Sequence, residues 1–280
     1  MPLVKHLIAL DLDGTVLNHG AVGQDHLQVG INAELAEAVR NLHLQGHEVV
    51  LATGRSADAT LPVVEKLKIR PTWVVTANGA VTLKRDPLAH RAYRREYVES
   101  FDATEVLTKL RPQIGTARFA VETAEGTFLY TEPIPAGTLP AKQTRVTFEE
   151  LLGVQASRVV VVAPDRRLED FVRAADTVGY SNVSYSVGNT TWLDIAPVGI
   201  SKESALEVVA TKEKINRANI FAAGDGQNDI EMLRWAGLHG DSVAMGQAND
   251  DVKAAARRVT GSISENGLLD ALRERFGELI

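Results

Sequence analysis

His6-Leu-Ile-Ala-Leu-Asp11-Leu-Asp13-Gly14-Thr15 decides how this chain is read, because an apolar run ends abruptly in two carboxylates and a glycine. The run predicts a strand, and Gly14-Thr15 predicts the turn that carries the chain away from its tip. Alternation along a strand sets Asp11 and Asp13 on one side of that tip and Leu12 on the other. Two carboxylates so close repel each other unless a cation lies between them, so the pair points to a hard metal ion. Asp-x-Asp-Gly is also an ordinary strand-and-turn pattern. What separates the two readings is the company the pair keeps further along the chain.

The remaining sequence limits the possibilities. It has 280 residues, 45% of them hydrophobic and 24% charged, enough for one large domain with an insertion or for two domains. Thirty basic against thirty-six acidic residues give a formal charge of −6, so no basic field suits nucleic acid or an anionic membrane as partner. An anionic substrate must therefore be attracted locally. Cysteine is absent, which excludes disulfides and thiolate metal sites. The first apolar run is cut short by Asp11, too early for a signal-peptide core or a membrane span, and the expectation is a cytoplasmic protein. Asn182-Val-Ser184 and Asn189-Thr-Thr191 match the glycosylation tripeptide, which carries no weight without secretion.

Outward from the first strand, Ile31, Leu35, Val39 and Leu42 recur at helical spacing, with Gly46 as the stop. Glu48-Val-Val-Leu-Ala52 reads as a buried parallel strand ending in Thr53-Gly54-Arg55. Ser56 to Ile69 predicts a helix in which Pro62 fits only an early turn or a kink. Trp73-Val-Val-Thr-Ala77 predicts a third strand, ending in Asn78-Gly79. Strand, helix, strand, helix, strand is the repeat of a doubly wound parallel sheet with right-handed crossovers.

That repeat breaks between about Val81 and Trp192. A hairpin of Ala117 to Thr123 with Thr127 to Thr131, and helices at Ala103 to Leu110 and Arg167 to Val178, predict a separate module with its own core. Glu132 to Pro140 reads as a surface connection within it. The first rhythm then resumes. Gly199-Ile-Ser-Lys202 opens a helix to about Ala210, and Asn219-Ile-Phe-Ala-Ala223 is a strand capped by Gly224-Asp225-Gly-Gln-Asn228-Asp229. A helix from Asp229 to Trp235, a strand Ser242 to Met245, and helices Asp250 to Arg258 and Leu268 to Phe276 complete the chain. The fold class expected is α/β, a doubly wound, Rossmann-like parallel sheet of residues 1–82 and 193–280, with an α+β module of residues 83–192 inserted.

The predicted strand tips collect Asp11, Asp13, Thr53, Asn78, Asp225, Asn228 and Asp229, with Lys202 at a helix start. In open parallel sheets ligands bind in the crevice beyond these tips. The set suits phosphoryl transfer: a carboxylate can attack phosphorus, Mg²⁺ offsets the charge of two approaching anions, and a hydroxyl with an ammonium holds the equatorial oxygens. Charges balance if Asp11, Asp225 and Asp229 are ionised against Mg²⁺ and Lys202 while Asp13 is protonated, so the pKa of Asp13 is expected to be raised and that of metal-bound Asp11 lowered.

Asp11-Leu-Asp13-Gly-Thr15, Thr53-Gly-Arg55, Lys202 and Gly224-Asp225-Gly-Gln-Asn228-Asp229 resemble, in order and context, the four motifs of the haloacid dehalogenase-like superfamily of phosphatases. Ala77-Asn78-Gly79-Ala80, Gly199-Ile-Ser-Lys202 and Ala244-Met245-Gly246-Gln-Ala248 look like its Cof-type branch, which carries a type II cap between the second and third motifs. The resemblance implies a Mg²⁺-dependent phosphatase acting on a small phosphorylated metabolite, a sugar phosphate before a nucleotide or cofactor phosphate. It implies Asp11 as nucleophile and Asp13 as acid, then base. Mg²⁺ would be held by Asp11, the Asp13 carbonyl and Asp225, with Asp229 binding or orienting at the metal. Thr53 and Lys202 would hold phosphate, with Gly54 and Asn228 close by. The module at 83–192 would be the cap that selects substrate.

Plainer readings stand beside these. Lys202 could be a solvated lysine, although a first-turn cation opposes the helix dipole. Arg55 could be structural or substrate-adjacent, and Asn78 could cap a turn. Gly224-x-Gly226 fails as a dinucleotide loop because Asp229 stands where the third glycine is needed, and no phosphate-binding P-loop is present. The alternatives left open are a phosphomutase using the same nucleophile and a non-enzymatic metal-binding regulatory domain.

Overall fold

A computed structural model describes residues 4–18, 30–134, 142–164, 183–187 and 192–277, together with 167, 173 and 280. Its central sheet begins with β1 (Leu7–Leu10), flanked in parallel by β2 (Glu48–Leu51) and β13 (Ile220–Gly224). Beyond β13 lie β14 (Asp241–Ala244) and β15 (Arg258–Val259), also parallel. On the other side β3 (Trp73–Thr76) joins β2 through a parallel bridge, Ala52 to Val75, and the Thr53 N–H donates to the Val75 carbonyl at 3.0 Å.

The apolar runs behave as a parallel sheet covered on both faces requires. Ile8, Leu10, Val49, Leu51 and Phe221 pack to one side, against α1 (Ala33–Leu44), α2 (Ala57–Leu67) and α7 (Gly267–Phe276). Leu7, Ala9, Val50, Ala52 and Ala222 pack to the other, against α4 (Lys202–Lys212) and α5 (Ile230–His239). Side chains such as Leu7 and Ile8 are fully buried, and each is worth about 1.5–3 kcal/mol in transfer terms. The helices start where the sequence supplies caps. Asn32 accepts from the Glu34 and Leu35 N–H groups at 2.8 and 3.1 Å, and Ser201 with Ser204 forms a capping box on α4. Pro62 lies inside α2.

The inserted module has its own sheet, in the order β11 (Val183–Val187), β12 (Trp192–Pro197), β10 (Gln155–Val162), β7 (Arg118–Thr123), β8 (Phe128–Tyr130) and β9 (Gln143–Arg145). β6 (Phe101–Asp102) also pairs with β10. The predicted hairpin is present as antiparallel β7 and β8. One face packs on α3 (Thr104–Ile114), giving a core separate from those of the central sheet.

Several expectations shift. The boundaries at 82 and 193 cut through strands. β4 (Val81–Arg85) and β5 (Tyr93–Val98) extend the central sheet antiparallel from β3, with Val81 and Leu83 in its core, while Trp192 to Pro197 belong to the inserted sheet. A two-residue link from Glu99 to Ser100 therefore precedes the module. The helix expected from Asp250 to Arg258 stops at Ala255 as α6 (Asp250–Ala255), because Arg258 joins the sheet edge and binds Asp241 at 3.0 Å and Glu274 at 2.6 Å. The helix expected at Arg167 to Val178 and much of the connection Glu132 to Pro140 lie outside the described residues. Among the described residues no helix is long and apolar enough to cross a membrane.

Candidate active site

Asp11 leaves the end of β1 with its N–H held by the Ala223 carbonyl at 3.0 Å, so the tips of β1 and β13 are tied side by side. The chain then closes on itself: Gly14 has φ of 85°, its N–H donates to Leu17, and the Leu17 N–H returns to Leu12 at 2.7 Å. This loop leaves the Asp11 and Asp13 side chains at the carboxyl end of the sheet's central strand. The Asp225 and Asp229 carboxylates come from the tip of β13 and the short turn after it.

Lys202 links the two ends of the chain. Its Nζ donates to Asp11 Oδ1 at 2.6 Å and to Asp229 Oδ1 at 2.7 Å, and the side chain is fully buried. The solvated-lysine reading is excluded by that burial, and its unfavourable place in a first helical turn is offset by two carboxylates. Asp229 Oδ2 accepts from the Asp225 and Gly226 N–H groups at 3.0 and 2.9 Å. Gly224 is required for this packing, since a Cβ there would lie 2.4 Å from Asp229 Cγ.

Among the described residues, ligand atoms of Asp11, Asp225 and Asp229 lie within 4.8 Å of one another. The donors are all oxygens and two of the three residues are buried, which fits Mg²⁺ better than a softer metal. Electrostatics agree. Burial first, then the Asp229 and Asp225 carboxylates, push Asp11 well above the usual range, and Lys202 offsets this only in part. Asp229 is likewise raised by burial against the pull of Lys202. Burial would lower Lys202, but Asp11 and Asp229 more than reverse it and its ammonium is held above the ordinary value. The lowered Asp11 pKa expected at the sequence level is thus not produced by the protein alone; the site carries more negative charge than one lysine balances, and a cation would supply the difference.

The Asp13 carboxylate is not in this group. Arg55 holds it, Nε to Oδ2 at 2.8 Å and Nη2 to Oδ1 at 2.5 Å. This two-pronged contact brings to Asp13 a cation that the charge count drawn from the sequence did not include.

Thr53 is buried, with its Oγ1 accepting the Arg55 N–H at 3.1 Å. Asn78 is the residue the sequence undervalued. It sits in a run of left-handed residues, Ala77, Asn78 and Gly79 with φ of 50°, 53° and 100°, and strained backbone of this kind persists only where surroundings hold it. Asn78 Oδ1 accepts from Asn228 Nδ2 at 2.9 Å and lies 3.1 Å from where a Gly54 Cβ would stand. Gly79 approaches the Ser201 carbonyl so closely that a Cβ would be 2.1 Å away. The turn thus touches the Thr53 loop, the Asn228 turn and the start of the Lys202 helix.

Two further side chains were not anticipated. Gln247 follows β14, and its Nε2 donates to the Gly14 carbonyl at 2.6 Å and to Asp225 Oδ2 at 3.2 Å, while its Oε1 accepts from the Ile263 N–H at 3.0 Å. A polar residue at another strand tip was the available signal. Arg158 of β10 donates through Nη1 to the Gly54 carbonyl, bringing the module onto the Thr53–Arg55 loop. The signal there was a lone arginine heading the run Val159 to Val162.

Comparison with known proteins gives the family. A profile of haloacid dehalogenase-like hydrolases matches residues 8–272. The chain belongs to this family. Phosphatase YwpJ of Bacillus subtilis is 28% identical, with 95% of this chain and 98% of that protein aligned. A second B. subtilis protein, 5-amino-6-(5-phospho-D-ribitylamino)uracil phosphatase YitU, is 25% identical over 99% of each chain. Among solved structures, the subclass IIB sugar phosphatase BT4131 superposes with a TM-score of 0.77 at 23% identity, over 99% of this chain and 100% of the other. That last likeness concerns the fold, a haloacid dehalogenase-like core with an inserted cap.

Proposed function

We propose that this hydrolase is a Mg²⁺-dependent phosphatase of a small phosphorylated metabolite, sugar phosphates first, working through an aspartyl-phosphate. The observation that carries the reading is the buried Lys202 bridging Asp11 and Asp229 beside Asp225, a cation and three carboxylates at the tips of parallel strands. Family membership and the names of the relatives support it.

Asp11 is the nucleophile. Its oxygen forms a bond to phosphorus as the bond to the leaving oxygen breaks, and Asp13, which takes up a proton from solvent on the oxygen that leaves the Arg55 fork while its other oxygen stays held, gives that proton to the leaving oxygen. Asp13 then takes a proton from water as water attacks phosphorus, which releases phosphate and the Asp11 carboxylate. Asp11, the Asp13 carbonyl and Asp225 would hold Mg²⁺, with Asp229 fixing the Lys202 ammonium and the turn beside it. The ion's contribution when bound is to offset the negative charge of nucleophile and substrate. Lys202 and Thr53 hold phosphate oxygens, with Gly54 and Asn228 beside them, and the module over residues 101–197 acts as the cap.

The test is phosphate release from a panel of phosphorylated metabolites by the purified protein, with and without chelator. Activity is expected to vanish on chelation and return with Mg²⁺. Asp11→Asn is expected to abolish both turnover and phosphate found on the quenched protein by mass spectrometry. Turnover that survives thorough chelation, or in Asp11→Asn, would refute the reading.

A further inference from the structure

Each carbonyl of the Thr53–Arg55 loop is held by a hydrogen bond. The Thr53 oxygen accepts the Asn78 N–H at 3.0 Å and the Arg55 oxygen the Ala77 N–H at 2.8 Å, both from the turn after β3. The Gly54 oxygen between them has its partner in the inserted module, Arg158 Nη1 of β10. The Gly54 carbonyl and the Arg55 N–H belong to one rigid peptide plane. That N–H donates to Thr53 Oγ1 at 3.1 Å. One peptide is thus gripped at its oxygen by the module and at its nitrogen by the Thr53 hydroxyl oxygen, which leaves the hydroxyl hydrogen for another acceptor. Turning the plane would take the N–H away from Oγ1 and release the Thr53 side chain. Arg55 would swing with it, and so would the clasp on Asp13.

Arg158 is itself fixed from several sides. Its Nε is ion-paired with Glu122 Oε2 at 3.3 Å, its Nη1 lies 3.3 Å from Asp194 Oδ1, and its guanidinium stands 5.3 Å from the centroid of the Phe128 ring. Glu122 Oε1 in turn accepts from Arg95 Nη2 of β5 at 2.9 Å, and Arg95 Nη1 donates to the Ala124 carbonyl at 3.0 Å. Contacts therefore run from the central sheet at Arg95 through Glu122 and Arg158 of the module and back to the central sheet at Gly54. Arg158 is 3% exposed and Glu122 fully buried, so both are committed to protein partners. A charged donor holds a carbonyl roughly twice as strongly as a neutral one does.

We propose that Arg158 is a positioning residue for phosphoryl transfer, which holds the Gly54–Arg55 peptide so that the Thr53 hydroxyl is aimed at the transferred phosphate. The inference rests on the phosphatase reading and deepens it. The module then contributes to the rate on every substrate, whatever its leaving group, because the group that Arg158 orients meets the phosphate and not the rest of the molecule. Displacing such a group by about 1 Å costs on the order of 10²-fold.

The experiment is a double-mutant cycle, with kcat/KM measured on p-nitrophenyl phosphate and on the best metabolite phosphate for the wild type, Arg158→Met, Thr53→Val and the two combined. Arg158→Met is expected to lose about 10–100-fold, alike on both substrates, and Thr53→Val on the order of 10²-fold. Because the arginine acts through the threonine, the combined variant is expected to stay within about threefold of Thr53→Val. The same cycle with Arg158→Lys, which keeps a cation beside Glu122 and Asp194 and so protects the fold, is expected to show smaller losses and the same coupling. Losses that multiply in the combined variant beyond that threefold range, a loss confined to the metabolite phosphate, or an Arg158→Met enzyme as fast as the wild type would overturn the inference while leaving a phosphatase. No phosphate release from any ester by the wild type would overturn the phosphatase reading and this inference with it.

Discussion

Arg55 clasps both carboxylate oxygens of Asp13, at 2.8 and 2.5 Å, across the gap between the tips of β2 and β1. The fork sets the direction in which the proposed acid and base points. Misplacing a reacting group by about 1 Å can cost on the order of 10²-fold. Arg55→Met is therefore expected to lower kcat on p-nitrophenyl phosphate by roughly 10–100-fold, and Arg55→Lys to restore only part of it, since an ammonium cannot reproduce a two-pronged contact. Steady-state kinetics decide the matter, and an Arg55→Met enzyme as fast as the parent would show that the fork is merely structural.

Removing the Lys202 ammonium leaves Asp11 and Asp229 buried and facing each other. Breaking a buried ion pair from one side typically costs about 3–5 kcal/mol. Lys202→Met is expected to lose stability of that order in urea denaturation without divalent ions, to recover part of it with Mg²⁺, and to lose turnover by at least about 10²-fold. Denaturation curves that overlay those of the wild type would contradict the pairing seen here.

Gln247 has its amide oriented without ambiguity, because its oxygen takes the Ile263 N–H and so its nitrogen must face Gly14 and Asp225. Partners behind metal ligands are worth about 10–100-fold in metal affinity. Gln247→Ala, at an exposed position, is expected to weaken Mg²⁺ binding about tenfold by isothermal titration calorimetry with little change in melting temperature. A dissociation constant within twofold of the wild type would remove Gln247 from the site.

Away from the site, His47 is expected to contribute to the loss of stability in acid. Burial, helped by the neighbouring His6, pushes its pKa down from 6.5 to about 4, and its Nδ1 accepts the His6 N–H at 3.2 Å, which only an unprotonated nitrogen can do. The unfolded chain therefore binds the extra proton more readily. The stability this group provides is complete above pH 6.5 and is lost as pH falls from there towards 4, by about 3 kcal/mol. His47→Asn, whose oxygen can take the same N–H, is expected to flatten that part of the profile in chemical denaturation. An unchanged slope would assign it to other groups.

The local pattern of residues was enough for the central sheet and its site. Runs such as Leu7 to Leu10 and Val49 to Ala52 are apolar on both faces and end in polar residues, so they had to be strands of a covered parallel sheet with chemistry at their tips. Asp11, Thr53 and Asp225 could be placed there because a strand carries its end to a known place. The partners across the site obey no such local rule. Arg55 reaches Asp13 over 42 residues, Lys202 reaches Asp11 over 191, and Arg158 reaches Gly54 over 104. Nothing in the spacing of these residues encodes those meetings; they depend on which strands become neighbours and how the inserted sheet turns one face to the core. The same holds for the strand boundaries at Val81 to Val98 and Trp192 to Pro197, where hydrogen bonds to distant strands, not local periodicity, assign each segment to its sheet.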